Sequence, residues 1–103
     1  MSNEIDIDGI IKALSNPVRR EILMWLKEPE KHFQPQEHSL EETGVCVGRI
    51  YERAGLSQST ISAYLAILQR TGLVTSQRVG QWVFYKRNED VIKAFLLYLQ
   101  NEL

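Results

Sequence analysis

Apolar residues recur in the first and last parts of the chain with the spacing that predicts amphipathic helices. A first helix is indicated by the i, i+3, i+4 and i+7 positions Ile7, Ile10, Ile11 and Leu14. A second is predicted from Pro17 to about Lys27, because Asn16 is a favoured N-cap and proline suits the first helical position. Glu89 to Leu103 predicts a last helix, whose apolar stripe is wider than one small core can cover.

A long polar segment follows the second predicted helix. From Glu28 to Gly44 only Phe33 and Leu40 are bulky and apolar, so we expect a loop with at most one short turn. Loops longer than ~12–15 residues are uncommon in compact domains and tend to be functional or mobile. This loop is therefore a candidate for a function of its own.

The middle of the chain predicts two helices joined by a tight turn. Helical spacing runs from Val47 to Ala54 and again from Ser57 to Arg70. Gly55 supplies the left-handed backbone conformation at which a helix ends, and Ser57 is a favoured N-cap for the helix that follows. The buried stripe of that helix is Ile61, Leu65 and Leu68, so its remaining faces are small and polar.

A β-hairpin is predicted directly after this helical pair. Val74 to Arg78 and Trp82 to Lys86 are rich in β-forming residues, and Gly80 lies in the turn between them. Helix, turn, helix and hairpin, in that order, make a winged helix-turn-helix. The fold predicted for residues 1–103 is therefore a single, mainly α domain with a small β-hairpin.

The charge of the chain is distributed unevenly, although its net value is only −1. Residues 1–44 carry five Lys/Arg against nine Asp/Glu, whereas residues 45–88 carry six Lys/Arg against one glutamate. Clustered positive charge, rather than net charge, makes the electrostatic footprint of a DNA-binding surface. Residues 45–88 are therefore the candidate DNA-binding part, and a solvated surface of mixed charge is the alternative.

The second helix of the pair has the side chains that a DNA-recognition helix needs. Small and polar side chains at its N-terminal end fit close to base edges, and glutamine pairs with adenine in the major groove. The candidate base-facing residues are Gln58, Ser59, Thr60, Ser62 and Ala63. The candidate phosphate-binding residues are Arg49, Arg53 and Arg78, with Gly80 and Gln81 at the tip of the wing. The alternative is an ordinary helical pair with an exposed polar face.

Three stretches of the chain carry a resemblance to a known family. They are ALSNPVRREILMWL in the second helix, AGLSQSTISAYLAILQRTGLV in the helix-turn-helix and RVGQWVFYK in the wing. They resemble the ArsR/SmtB family of bacterial winged-helix repressors. The resemblance implies a homodimer, paired through its first and last helices, that binds a two-fold DNA operator and is released by an inducer. The chain departs from the family at Ala63, where a basic residue is frequent, at Tyr64, where a histidine is frequent, and in its longer loop.

The metal sites of this family are only partly represented here. Arsenic-type members have a Cys-Val-Cys pair before the recognition helix, and the matching residues of this chain are Cys46, Val47 and Gly48. Zinc-type members use Asp/His pairs on the last helix, which has no histidine in this sequence. One thiolate is a poor site for a soft metal, so we expect neither familiar metal site and no cofactor.

Cys46 has three interpretations, and none identifies the inducer. As a small buried hydrophobic residue it has no signalling role. As a thiol switch it is the sensing residue, reacting with an oxidant, a reactive sulfur species or the second subunit. As a metal ligand it joins His32 and His38 in a new site within segment 28–46, with spacings that match no known pattern.

Other classes of protein are not favoured by the sequence. No apolar run approaches the ~20 residues of a membrane span, and residues 1–4 do not resemble a signal peptide. A single cysteine is typical of a cytoplasmic protein with a reduced thiol. No paired-carboxylate, phosphate-loop or Ser/His/Asp pattern indicates an enzyme. A DNA-binding transcriptional regulator is thus expected, and the remaining rival is a winged helix that docks on proteins and never binds DNA.

Overall fold

The computed structural model describes residues 4–103, which fold into six helices and one three-stranded antiparallel sheet. The helices are α1 Ile7–Ala13, α2 Pro17–Lys27, α3 Pro29–His32, α4 Val47–Ala54, α5 Gln58–Arg70 and α6 Glu89–Glu102. The strands are β1 Val45–Cys46, β2 Val74–Val79 and β3 Trp82–Arg87. A mainly α fold with a winged hairpin after a helix-turn-helix is confirmed.

Side-chain caps fix the starts of the helices at the ends of the chain. Asn16 Oδ1 accepts hydrogen bonds from the backbone N–H of Val18 at 2.8 Å and of Arg19 at 3.0 Å, which confirms it as the N-cap of α2. Asn88 caps α6 in the same way, through the backbone N–H of Val91 at 3.4 Å. The first helix ends at Ala13, one residue before the end that its apolar spacing predicts.

The sheet has the order β1-β3-β2, so β3 lies in its centre. Val79 pairs with Trp82, which leaves Gly80 and Gln81 as a two-residue turn at the tip of the hairpin. Strand β1 pairs with the other edge of β3, with Cys46 opposite Phe84. This strand is absent from the sequence prediction, because two residues are too few to show the alternation that identifies a strand.

The segment from Glu28 to Gly44 contains one short helix and is otherwise irregular. Helix α3 begins directly after α2, and its first residue, Pro29, is buried. Phe33 is also buried and meets the Trp25 ring edge-to-face, with ring centroids 6.4 Å apart. The few apolar residues of this segment thus anchor it to the core, and β1 then ends it.

The core lies between α5, the other helices and the inner side of the sheet. Ile61, Leu65 and Leu68 have no exposed surface, which confirms the buried stripe predicted for α5. They pack with other buried residues that include Ile10, Ile22, Ile50 and Phe95. Burying a large aliphatic side chain contributes about 1.5–3 kcal/mol, so this cluster holds α5 in place with its other faces outward.

The first and last helices leave apolar side chains uncovered. On α6, Leu96 is 58% exposed and Leu97 is 54% exposed, and on α1 Ile11 is 49% exposed. The predicted excess width of the last apolar stripe is therefore confirmed. Within residues 4–103, no helix has the length and apolar character needed to cross a membrane.

Candidate nucleic-acid interface

The turn between α4 and α5 is built from a glycine and a serine, as predicted. Gly55 has a φ of 69° and its N–H donates to Tyr51 O at 3.0 Å, so α4 ends in the left-handed conformation that glycine adopts without strain. Ser57 Oγ accepts from the backbone N–H of Thr60 at 3.2 Å and caps α5. These two ends fix the angle at which α5 leaves α4.

The outward face of α5 presents small and polar side chains to solvent. Gln58, Ser59, Ser62 and Ala63 are all exposed, whereas Thr60 is half-buried. The Ser57 hydroxyl lies 2.8 Å from Thr60 Oγ1 and 3.3 Å from Ser59 Oγ, so a small network ties these three side chains to the helix start. The structure thus brings the five predicted base-facing residues onto one helix end, with Thr60 the least accessible.

Two tyrosines hold side chains on and beside this face. The Tyr51 hydroxyl on α4 lies 3.2 Å from Ser62 Oγ on α5. On α5 itself, Tyr64 accepts a long hydrogen bond of 3.4 Å from Asn16 Nδ2, and the Arg19 guanidinium lies 5.2 Å from the centre of its ring. Sequence reasoning missed both contacts, because the partners are distant in the chain and no local pattern joins them.

The three predicted phosphate-binding arginines have different surroundings. Arg49 pairs with Glu52 at 3.4 Å and donates to Pro35 O at 3.1 Å. Arg53 places its guanidinium over the Trp25 ring, 4.5 Å from the ring centre. Arg78, exposed on β2, forms neither a hydrogen bond through its side chain nor an ion pair with any residue from 4 to 103. Of the three guanidinium groups, that of Arg78 is therefore the one held by no other side chain or carbonyl among residues 4–103.

The wing is attached to α5 by a side-chain hydrogen bond. Gln69 Nε2 on α5 donates to Ser76 Oγ on β2 at 2.8 Å. Gly80 and Gln81 at the wing tip are exposed, as predicted. The basic residue Arg87, at the base of the hairpin, is instead paired with Glu89 at 2.8 Å, so it has a structural role.

A cleft of about 310 Å³ opens between the wing and the start of α4. We call it the wing cleft; its walls include Gln36, His38, Cys46, Arg49, Trp82 and Phe84. Cys46 lines the wing cleft and is half-buried. Its exposure therefore decides neither for a buried structural thiol nor for an accessible one. The Gln36 side chain bonds the backbone on either side of Val45: its Nε2 donates to Gly44 O at 2.7 Å and its Oε1 accepts from Cys46 N–H at 3.1 Å.

The metal interpretation of the loop finds no support in this geometry. His38 lies against the Phe84 ring, with ring centroids 5.0 Å apart. Across residues 4–103, no three His, Cys, Asp or Glu side chains are grouped so that they could hold a metal ion. The proposed set of His32, His38 and Cys46 is therefore not a metal site in this structure.

The sequence of the helix-turn-helix matches a known family of regulators. Residues 38–76 match the family model described as bacterial regulatory protein, arsR family. The uncharacterized HTH-type transcriptional regulator YbzH of Bacillus subtilis is 44% identical over 95 residues, which are 91% of this chain and 95% of that protein. The chain belongs to the ArsR family.

Two further relatives of this ArsR-family chain extend the comparison to solved structures. The transcriptional activator HlyU of Vibrio cholerae is 33% identical over 84% of this chain and 68% of its own length. Its structure matches with a TM-score of 0.60 at 32% identity, over 89% of this chain and 87% of that one. The homodimeric winged helix-turn-helix DNA-binding domain Mb0332 of Mycobacterium bovis matches with a TM-score of 0.63 at 28% identity, over 99% and 90%. These matches confirm the winged helix-turn-helix fold and the class of transcriptional regulator.

Proposed function

We propose that this ArsR-family protein binds a two-fold DNA operator as a homodimer and represses transcription from it. The observation that carries the proposal is the N-terminal end of α5, where four small or polar side chains are exposed; Arg78 of the wing is exposed as well. Such side chains fit close to base edges in the major groove, and a free guanidinium on the wing suits a phosphate contact. Segment 45–88 supplies the positive charge that this docking requires.

The dimer is proposed from the apolar side chains that α1 and α6 leave exposed. A second copy of the chain covers Ile11, Leu96 and Leu97, which residues 4–103 of one copy leave about half exposed. Full burial of such a side chain contributes about 1.5–3 kcal/mol, so covering the exposed half of each contributes about half of that. Two copies related by a two-fold axis then present two α5 helices to one duplex, and operator symmetry follows from protein symmetry.

DNA binding is tested with a fluorescently labelled duplex from the region upstream of the gene. We expect the anisotropy to report a Kd that rises steeply between 50 and 200 mM salt, because each phosphate contact releases counterions. Gln58→Ala is expected to weaken binding, whereas Gln34→Ala, an exposed glutamine of the loop, leaves it unchanged. An affinity that is independent of salt and of Gln58 contradicts operator binding and favours the protein-docking alternative.

The dimer is tested by sedimentation equilibrium with a matched pair of substitutions. Leu97→Glu on α6 is expected to shift the protein toward monomer. Met24→Glu places the same charge on α2, at a methionine that is 61% exposed, and is expected to leave the dimer intact. Equal dimer dissociation constants for the two variants contradict the α6 interface.

The sign of regulation is tested by transcription in vitro. HlyU is a transcriptional activator, so members of this fold do not share one sign. For a repressor, purified protein lowers transcript yield from the upstream promoter, and a Gln58→Ala variant restores it. A rise in transcript yield contradicts the proposed repression but leaves operator binding in place.

Cys46 is proposed as the residue through which a thiol-reactive signal releases the operator. It pairs with Phe84 in the sheet and directly precedes α4, so a group added to its sulfur alters the junction between the wing and the helix-turn-helix. Peroxide and polysulfide are each added to wild-type protein and to Cys46→Ser on the labelled duplex. If the reagents release wild type and Cys46→Ser from the duplex to the same extent, Cys46 is not the residue that senses them.

A further inference from the structure

We propose that the wing cleft is a binding site for a small aromatic cation. The proposal concerns a ligand rather than DNA, so it stands whether or not the protein binds an operator. With about 310 Å³, the wing cleft lies within the ~300–1,000 Å³ typical of small-molecule sites. It adjoins β3 of the wing and α4 of the helix-turn-helix, so a bound molecule contacts both elements.

The aromatic character of the ligand follows from the walls of the wing cleft. Trp82 and Phe84 are two residues apart on β3, and alternate residues of a strand share a face. Phe84 is only 3% exposed and is backed by the His38 ring, so its position is fixed. Trp82 is 50% exposed, which leaves a large indole surface for a flat ring to cover.

The positive charge of the ligand follows from the charged side chains around the cleft. Two carboxylates, Glu37 and Glu52, face one guanidinium, that of Arg49. Arg49 is already engaged, because it pairs with Glu52 at 3.4 Å and donates to Pro35 O at 3.1 Å. The described part of the chain brings no lysine and no other arginine to these walls. The uncompensated charge is therefore that of the Glu37 carboxylate, which has no hydrogen-bond partner among residues 4–103.

These two features together select a cation over other ligands. An aromatic face attracts a cation through its quadrupole, and a carboxylate nearby adds to that attraction. A neutral ring gains only from the burial of its surface. An anion meets two carboxylates and finds the one guanidinium occupied. A flat aromatic ring with a fixed positive charge uses both the indole and Glu37.

Binding is tested by NMR titration with three naphthalene probes that differ in charge. N,N,N-Trimethyl-1-naphthylammonium is the cation, 1-tert-butylnaphthalene is its neutral isostere, and 1-naphthalenesulfonate is the anion. The chain has two tryptophans, so the side-chain N–H signals of Trp25 and Trp82 report separately. We expect the cation to shift the Trp82 signal in a saturable way, with a Kd at least fivefold below that of the isostere. The anion is expected to cause no shift.

Two substitutions test which side chains recognise the cation. Trp82→Leu keeps an apolar side chain but removes the aromatic face, and we expect it to weaken cation binding about three- to thirtyfold, read from backbone amide shifts of the cleft. Glu37→Gln is expected to weaken binding of the cation and to leave binding of the neutral isostere unchanged. Glu42→Gln is the control, since it removes one loop carboxylate that does not line the cleft.

The proposal is overturned by any of three results. Equal affinity for the cation and its neutral isostere removes the selectivity for charge. Wild-type affinity in both Trp82→Leu and Glu37→Gln places the ligand elsewhere. Equal losses in Glu37→Gln and Glu42→Gln indicate attraction to overall charge rather than a site. Because Glu37 is exposed, its substitution tests the site even if Trp82→Leu fails to fold.

Discussion

The hydroxyl of Tyr51 on α4 lies 3.2 Å from Ser62 Oγ on α5, across the turn of the helix-turn-helix. Ser62 is exposed on the face proposed to read bases, and a serine hydroxyl there otherwise rotates freely. The contact from α4 therefore restricts the directions in which Ser62 donates and accepts hydrogen bonds. Tyr51 is thus a positioning residue for the DNA-reading face.

Tyr51→Phe tests this positioning. Losing a typical hydrogen bond costs about 0.5–1.5 kcal/mol, so we expect operator affinity to fall about two- to tenfold. In a Ser62→Ala background the same substitution is expected to have no further effect, which a double-mutant cycle on the labelled duplex measures. A loss of the same size in both backgrounds indicates that Tyr51 acts on DNA binding by a route that does not involve Ser62.

Ser57→Ala tests the cap of α5. The Ser57 hydroxyl accepts from Thr60 N–H at 3.2 Å and lies 2.8 Å from Thr60 Oγ1, so its removal leaves a helix N-terminus without its partner. We expect the free energy of unfolding in urea to fall by about 1 kcal/mol. Ser59→Ala, which removes a neighbouring exposed hydroxyl, is expected to change it by less than about 0.5 kcal/mol. Equal losses in the two variants contradict the cap.

Arg78→Ala and Arg53→Ala test whether an arginine without a partner among residues 4–103 serves DNA binding while an arginine stacked on an aromatic ring serves stability. Arg78 on the wing is expected to contact a phosphate, so its removal lowers the salt slope of operator binding by about 1 and leaves unfolding unchanged. Arg53→Ala loses the stacking on Trp25 at 4.5 Å and is expected to lower the free energy of unfolding by about 0.5–1 kcal/mol. An unchanged salt slope in Arg78→Ala removes the wing from the DNA interface.

Much of the fold is predictable because its signals are local. The starts of α2 and α5 are fixed by the N-caps Asn16 and Ser57 and by the spacing of the apolar residues that follow. Each of these signals spans only a few residues of the chain. The two-residue strand β1 has no such signal, since it exists only because β3 offers it an edge. The contact of Arg53 with Trp25 likewise depends on tertiary packing. No local pattern in the sequence joins the two residues, so the sequence predicts only a phosphate contact for Arg53.

Gln36→Ala tests how the loop holds β1. The amide of Gln36 bonds both Gly44 O at 2.7 Å and Cys46 N–H at 3.1 Å, so its removal leaves two partly buried backbone groups unpaired. We expect a loss of about 1–3 kcal/mol in the free energy of unfolding. Gln34→Ala removes an exposed amide from the same segment and serves as the matched control. Identical unfolding midpoints for the two variants contradict this role of Gln36.

Tyr85 on β3 gives the stability of the fold a dependence on alkaline pH. Burial, with a smaller contribution from Tyr51, raises the pKa of the Tyr85 hydroxyl above its ordinary value of 10.0. Since the folded chain then holds this proton more tightly than the unfolded chain, the contribution is complete below pH 10. It is lost as the pH rises above 10 through the folded-state pKa. Urea unfolding of wild type from pH 8 to 11 is expected to show this decline.

Tyr85→Phe is expected to lose less stability than wild type between pH 10 and 11, because phenylalanine has no proton to release. The same decline in Tyr85→Phe as in wild type contradicts the assignment of this pH dependence to Tyr85.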